Sequence, residues 1–267
     1  MPELQREVLF RESGHTLYRY DKLWVAFNGG WTSDKSHSNM DLGTFVLVYD
    51  GERLVHDPGY GHTRADQHST IVIDGQDQRK PAQAKYTAWG GGKGYHWLQC
   101  DVTDAWGQNA KKCVRTMVVV DGKYIVLLDE VETSGSTNIE ARVQSRRTIT
   151  VKDNAAAIEG ERSSLHVIAA SPKATLSTGR HEINFVGIKA AQPKAEQVFV
   201  TVLYPDKKGA AAPNVEWSEK GGTGTLKVGG DKLEFKQTSA GWVLGKVGNE
   251  KVEKPEAPKD RVLKPVK

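Results

Sequence analysis

Thr44-Phe45-Val46-Leu47-Val48-Tyr49-Asp50-Gly51-Glu52-Arg53-Leu54-Val55-His56-Asp57-Pro58-Gly59 decides the fold class. The run from Thr44 to Tyr49 is apolar on both faces of an extended chain, which suits a strand buried between two layers. Asp50-Gly51 is a two-residue hairpin signal, because glycine accepts the positive φ such a turn demands. The return strand, Glu52 to His56, ends at Asp57-Pro58-Gly59, since proline cannot donate to a ladder. A loop containing Gly59, Gly61 and Arg64 leads to a third strand, His68 to Ile73, closed by Asp74-Gly75.

The same pattern continues on both sides. Leu17 to Tyr20 and Leu23 to Phe27 read as two strands joined at Asp21-Lys22. Gln76 to Ala84 reads as polar loop and Trp89-Gly90-Gly91-Gly92 as a very flexible stretch. Tyr95 to Val102 is a strand, Thr103 to Lys111 a loop, and Cys113–Val120 with Tyr124–Val131 a hairpin around Asp121-Gly122. Further strands are expected at 139–149, 165–169, 183–188, 198–204, 223–228, 233–235 and 242–247. No segment keeps a 3.6-residue apolar period. These signals predict an all-β fold, a large antiparallel β-sandwich of supersandwich type with few or no helices, over residues 1–246. Residues 247–267, rich in Lys, Glu and Pro, read as an extended or disordered tail.

Composition narrows the function. The formal charge is +4, but the stretch from Lys246 to Lys267 holds seven basic and four acidic residues and so carries +3 of it. A body so near neutrality has no global field for nucleic acid. No apolar run reaches the roughly 20 residues of a membrane span, so neither nucleic acid nor membrane is an expected partner. The N-terminus shows no apolar signal segment. Cys100 and Cys113 flank a hairpin loop; a disulfide and two buried thiols both remain open.

Counting outward from Asp50-Gly51 pairs Tyr49 with Glu52, Leu47 with Leu54, Val46 with Val55 and Thr44 with Asp57. Asp57 then lies at the open end of the hairpin, where the chain arrives from His37, Asn39 and Asp41, and His56 faces the opposite side. If the third strand runs antiparallel to the second, His68 also starts at this rim. Four polar segments would then converge.

His37-x-Asn39-x-Asp41, Phe45, Asp57-Pro58-Gly59, Arg64 and His68-Ser69-Thr70-Ile71-Val72-Ile73-Asp74-Gly75-Gln76 resemble the C-terminal β-domain of heparinase II/III-like polysaccharide lyases. The likeness extends from Phe10 to about Tyr204. It implies β-elimination on an acidic, uronate-containing polysaccharide or oligosaccharide in the periplasm or outside the cell. By resemblance His37 takes part in proton transfer, while Asp57, His68 and the Asn39 position hold a divalent metal, zinc in the family. Asn39 stands where the family has His, and a neutral amide is a poor zinc ligand. Such a set would hold zinc weakly, accept a harder ion with water, or form an empty polar cluster. Arg64 offers a fork for a carboxylate or sulfate, or pins its own loop to Asp57 or Asp66. Trp89, beside three glycines, is the stacking candidate, and Trp97 belongs to the core. The family's catalytic Tyr comes from an N-terminal α/α-toroid, so the chain is expected either to be half of an active site or to be a solitary carbohydrate-binding or scaffold domain.

Overall fold

Asp50, Asp74 and Asp121 stand at φ of 48°, 52° and 50°, each followed by a glycine at positive φ, so all three Asp-Gly pairs turn the chain as their sequence predicts. The computed structural model describes residues 6–10, 13–35, 38–171 and 174–253. The chain opens with β1 (Glu7–Phe10), β2 (His15–Arg19), β3 (Leu23–Asn28) and β4 (Trp31–Thr32). The hairpin β5 (Phe45–Tyr49) and β6 (Glu52–Val55) follows, then a 3-10 turn at Ala65–Gln67 and the short β7 (Ile71–Ile73) and β8 (Ala82–Gln83). Next come β9 (Lys85–Gly92), β10 (Tyr95–Asp101), one helical turn α1 (Thr103–Trp106), β11 (Lys112–Val120) and β12 (Tyr124–Thr137). Then β13 (Ile139–Ser145), β14 (Thr148–Lys152), β15 (Ala155–Glu159), β16 (Ser163–Ala169), β17 (Ala174–Arg180), β18 (Asn184–Ala190) and β19 (Lys194–Lys207) complete two sheets. A meander closes the described chain: β20 (Val215–Lys220), β21 (Thr223–Val228), β22 (Asp231–Thr238), β23 (Gly241–Val247) and β24 (Glu250–Lys251).

The strands form three layers around a central eight-stranded sheet, ordered β14-β15-β16-β19-β12-β11-β10-β9. One face is covered by the sheet β1-β2-β3-β5-β6 and the smaller sheet β17-β18-β13-β7, the other by the meander β20–β24. Strand alternation explains how one sheet serves two cores. Met117, Val119 and Leu127 enter the front core with Phe45, Leu47 and Ile71. Val118, Val126 and Leu128 enter the back core with Phe235 and Trp242. A strand buried on both sides must be apolar throughout, hence the unbroken run Met117 to Val120.

Several sequence expectations are corrected. The β5–β6 register holds for Tyr49↔Glu52 and Val48↔Arg53, but then Leu47 pairs with Val55, leaving Leu54 as a bulge. Val55 therefore does not face Val46. The third strand does not pair with the second: β7 pairs with β13, Ile71 opposite Ala141. Trp89 to Gly92 is not a flexible linker but the end of β9, with Gly92 opposite Tyr95. The loop at 103–111 holds α1, and β8 lies in the stretch read as polar loop. Val247 to Lys251 carries the end of β23 and β24, and the tail beyond residue 253 lies outside the described residues. Cys100 and Cys113 are buried thiols with no disulfide between them.

Candidate functional site

Two loops build the site, one from residue 38 to Thr44 and one from Asp57 to Thr70. Arg115, on β11 of the central sheet and 1% exposed, holds both from below. Its Nε and Nη2 donate to the two carboxylate oxygens of Asp129 at 2.7 and 3.0 Å. Its Nη1 donates to the carbonyls of Gly43 and Ser69, at 2.7 and 2.8 Å. The fork thus meets a carboxylate on one side and two loop carbonyls on the other, leaving no charge unpaired. Further ties run between the loops: Thr70 Oγ1 donates to the Leu42 carbonyl at 2.7 Å, and the Ser69 N–H donates to Thr44 Oγ1 at 3.1 Å.

On this floor Asp41, Asp57 and His68 each bring one potential ligand atom within 4.8 Å of the others. His68 is fully buried. Its Nε2 lies 3.0 Å from the His62 carbonyl and its Nδ1 lies 3.0 Å from Asp57 Oδ2. A carbonyl and a carboxylate can only accept, so Nε2 donates to His62 and Nδ1 donates to Asp57. Nδ1 is the atom turned toward the two carboxylates, and it would ligate a cation by giving up its hydrogen. That is how a metal-ligating imidazole is held, its other ring nitrogen donating to the backbone. The donor set fits a divalent cation: two carboxylate oxygens and one imidazole nitrogen. Asp41 also accepts from Asn28 Nδ2 at 3.1 Å. Burial raises its pKa; His68 and His15 oppose this and Asp57 adds to it, so the carboxylate sits where positive charge is welcome. Asp57 moves the other way: the hydrogen bond from His68 holds its pKa below the usual carboxylate value against its partial burial.

The convergence of Asp57 and His68 is therefore real, although the strand pairing used to reach it is not. After Val55 the chain leaves β5 and crosses to β13, the His56 N–H donating to the Gln144 carbonyl at 2.9 Å. Gln144 in turn donates to the Asp66 carbonyl at 3.0 Å, so β13 carries the loop that ends at His68. Asn39 is half-buried, immediately before this cluster. His37 lies outside the described residues. Arg64 is drawn onto Asp66, Nε to Oδ1 at 3.0 Å and Nη2 to Oδ2 at 3.3 Å. Trp89 is half-buried, its ring against Tyr18 and Tyr86 at 5.9 and 6.1 Å, so the three glycines beside it do not leave it projecting. Trp97 is in the core, as expected. His56 is not among the clustered ligand atoms; its Nδ1 accepts from the Arg146 N–H at 3.3 Å. Sequence reasoning did not single out Asp41 as a ligand, Arg115 as a support, or Tyr60. Tyr60 stands 84% exposed between Gly59 and Gly61, both at positive φ, in the loop that carries Asp57. The one signal for it was that pair of flanking glycines.

With this geometry in place, comparison with known proteins is decisive for kinship. The model of the family "Heparinase II/III-like, C-terminal" matches residues 3–218. The chain belongs to this family. A heparinase III, the BT4657 gene product, superposes with a TM-score of 0.75 at 20% identity, covering 86% of this chain and 42% of that one. The heparan sulfate lyase HepC from Pedobacter heparinus gives 0.75 at 17% identity over 91% of this chain and 43% of its own. At such identities the superpositions establish a shared fold, and the chain spans less than half the length of these relatives. No curated protein matches it significantly. Among the described residues no helix is long and apolar enough to cross a membrane. The heparinase II/III-like match ends inside β20, so most of the back meander lies beyond it.

Proposed function

We propose that this chain is the β-half of a polysaccharide lyase that breaks uronate-containing polymers by β-elimination, outside the cytoplasm. The observation that carries the proposal is the buried His68, oriented by the His62 carbonyl toward Asp57 and Asp41, in a heparinase II/III-like domain. In this reading His37 takes the proton next to the uronate carboxylate, a task suited to an imidazole with an ordinary pKa near 6.5. The acid and the groups that neutralise the substrate carboxylate come from a helical toroid, as the family resemblance implies. Asp41, Asp57 and His68 would hold a divalent ion, which supplies a fixed positive charge at the root of both loops. Asp57 and His68 then position the loop that carries Tyr60, and Asp41 positions the loop that follows His37.

The test is the ultraviolet absorbance of the unsaturated uronate product on heparan sulfate, alginate and hyaluronan. The 267-residue chain alone is expected to give little or no product, and robust turnover by it would overturn the shared-site reading. A second reading, a solitary carbohydrate-binding or scaffold domain without catalysis, draws its support from Asn39 in place of the family's His.

A further inference from the structure

We infer that the chain has a second saccharide site, for an acidic oligosaccharide, in the cleft at the turn end of the front sheet. The choice of an acidic sugar rests on the function proposed above; the cleft itself does not. Four aromatic side chains wall it: Tyr20 and Trp24 flanking the β2–β3 turn, Tyr49 at the end of β5 and Tyr204 on β19. Trp24 is 43% exposed while its neighbours Leu23 and Val25 are buried, so the indole is held out by strand alternation. The Arg19 guanidinium lies 5.7 Å from its ring centroid, a cation over an aromatic face.

The walls are fixed from behind. Tyr20 donates to or accepts from His96 Nδ1 at 2.8 Å. Its ring lies so close to Gly122 that a Cβ there would stand 2.5 Å from the tyrosine Cβ, at a φ of +65°. The β11–β12 turn can therefore close on Tyr20 only with glycine at this position. That turn brings Asp121 and Lys123 to the rim, ion-paired at 3.2 Å, where Arg6 and Lys22 also line the cleft. Among the lining side chains cations outnumber carboxylates by one.

A pyranose has an apolar C–H face and a polar edge. Aromatic walls match the face, while carboxylates and basic side chains match the hydroxyls and the sugar carboxylate. The cleft is separate from the His68 cluster. Thr44, which receives the Ser69 N–H, precedes β5, and Tyr49 ends it, so the two sites stand about 17 Å apart along that strand at its usual rise.

The experiment is calorimetric titration of the whole chain with hexasaccharides of alginate and heparan sulfate, and with neutral cellohexaose. Saturable binding of an acidic hexasaccharide is expected, weakened at least tenfold by Trp24→Ala and by Arg19→Met, with cellohexaose bound at least tenfold more weakly. Trp24 is at the surface, and circular dichroism verifies that the variant is folded. Equal binding of the neutral sugar, or no binding of either acidic one, overturns the inference. Binding that survives Trp24→Ala but is lost in Asp57→Asn also overturns it, by placing the ligand at the first site and leaving the lyase reading intact.

Discussion

Arg115 shows how much one side chain can organise. Its guanidinium makes four hydrogen bonds to three partners, one carboxylate bound through two oxygens and two carbonyls from different loops. Both Arg115 and Asp129 are 1% exposed, so removing either leaves a buried charge without its counter-charge. Arg115→Met is expected to cost about 3–5 kcal/mol in urea unfolding. Any folded fraction should bind metal more weakly, because Gly43 and Ser69 lose their common anchor. Asn39 makes a second residue-scale prediction. Asn39→His should raise zinc affinity at least tenfold by calorimetry, since an imidazole replaces an amide beside ligands already gathered; Asp41→Asn should lower it. No gain from the histidine would show that position 39 does not reach the Asp57–His68 pair. The sequence made Asp57 and His68 visible through their turn and strand-start positions. It gave no sign of Arg115, because a lone arginine inside Val114–Val120 reads as an exposed position of a strand until the opposing Asp129 is seen.

Among elements, the back meander is the least expected partner of the rest. Its strands β21 and β23 were legible as short apolar runs, but their destination was not: periodicity reports that a face is apolar, not which sheet covers it. The same limit explains the β5–β6 error. A hairpin register can be counted from a turn only until the first bulge, and Leu54 inserts one after two pairs. The strand then departs to β13, an interaction between segments some 90 residues apart that no local pattern encodes. Phe235 of β22 is wholly buried among Leu226, Leu244 and the outward residues of the central sheet. Phe235→Ala is expected to destabilise by about 3–5 kcal/mol, the cost of a large buried side chain. A loss below about 1 kcal/mol in chemical denaturation would mean that the meander packs loosely on the sheet.

At the scale of the whole molecule, pH acts through a half-buried carboxyl and a buried imidazole of opposite sign. Burial raises the Glu7 pKa from 4.5 to about 7, against a weaker lowering by Tyr18. Its Oε2 lies 3.8 Å from His96 Nε2, between β1 and the central sheet. The folded chain therefore keeps a proton that the unfolded chain has lost, and this contribution to stability fades as pH rises from about 4.5 through about 7. Burial, helped by Arg53, Arg147 and Arg146, lowers the His56 pKa to about 4, so its contribution grows as pH rises from about 4 to 6.5. Glu7→Gln isolates the first effect: the stability of the variant relative to the parent chain should rise between pH 5 and pH 8 in urea titrations. A gap that stays constant across that range would show that Glu7 is not strained by ionisation. The all-β architecture itself was legible throughout, because three Asp-Gly turns and the absence of helical periodicity are local signals.

The order of the central sheet also has a consequence in time. Strand β12 receives β11 at once, through a tight turn, but its other neighbour is β19, with Ile125 paired to Leu203. Until synthesis passes that point, β12 presents a long open edge of backbone donors and acceptors flanked by valine and leucine, the kind of edge that invites pairing with another chain. Closing it means joining segments almost eighty residues apart, a slow step for any topology. The nascent chain thus carries this open edge while β13 to β18 are made, after the segments of the His68 cluster and its Arg115–Asp129 floor have all been synthesised.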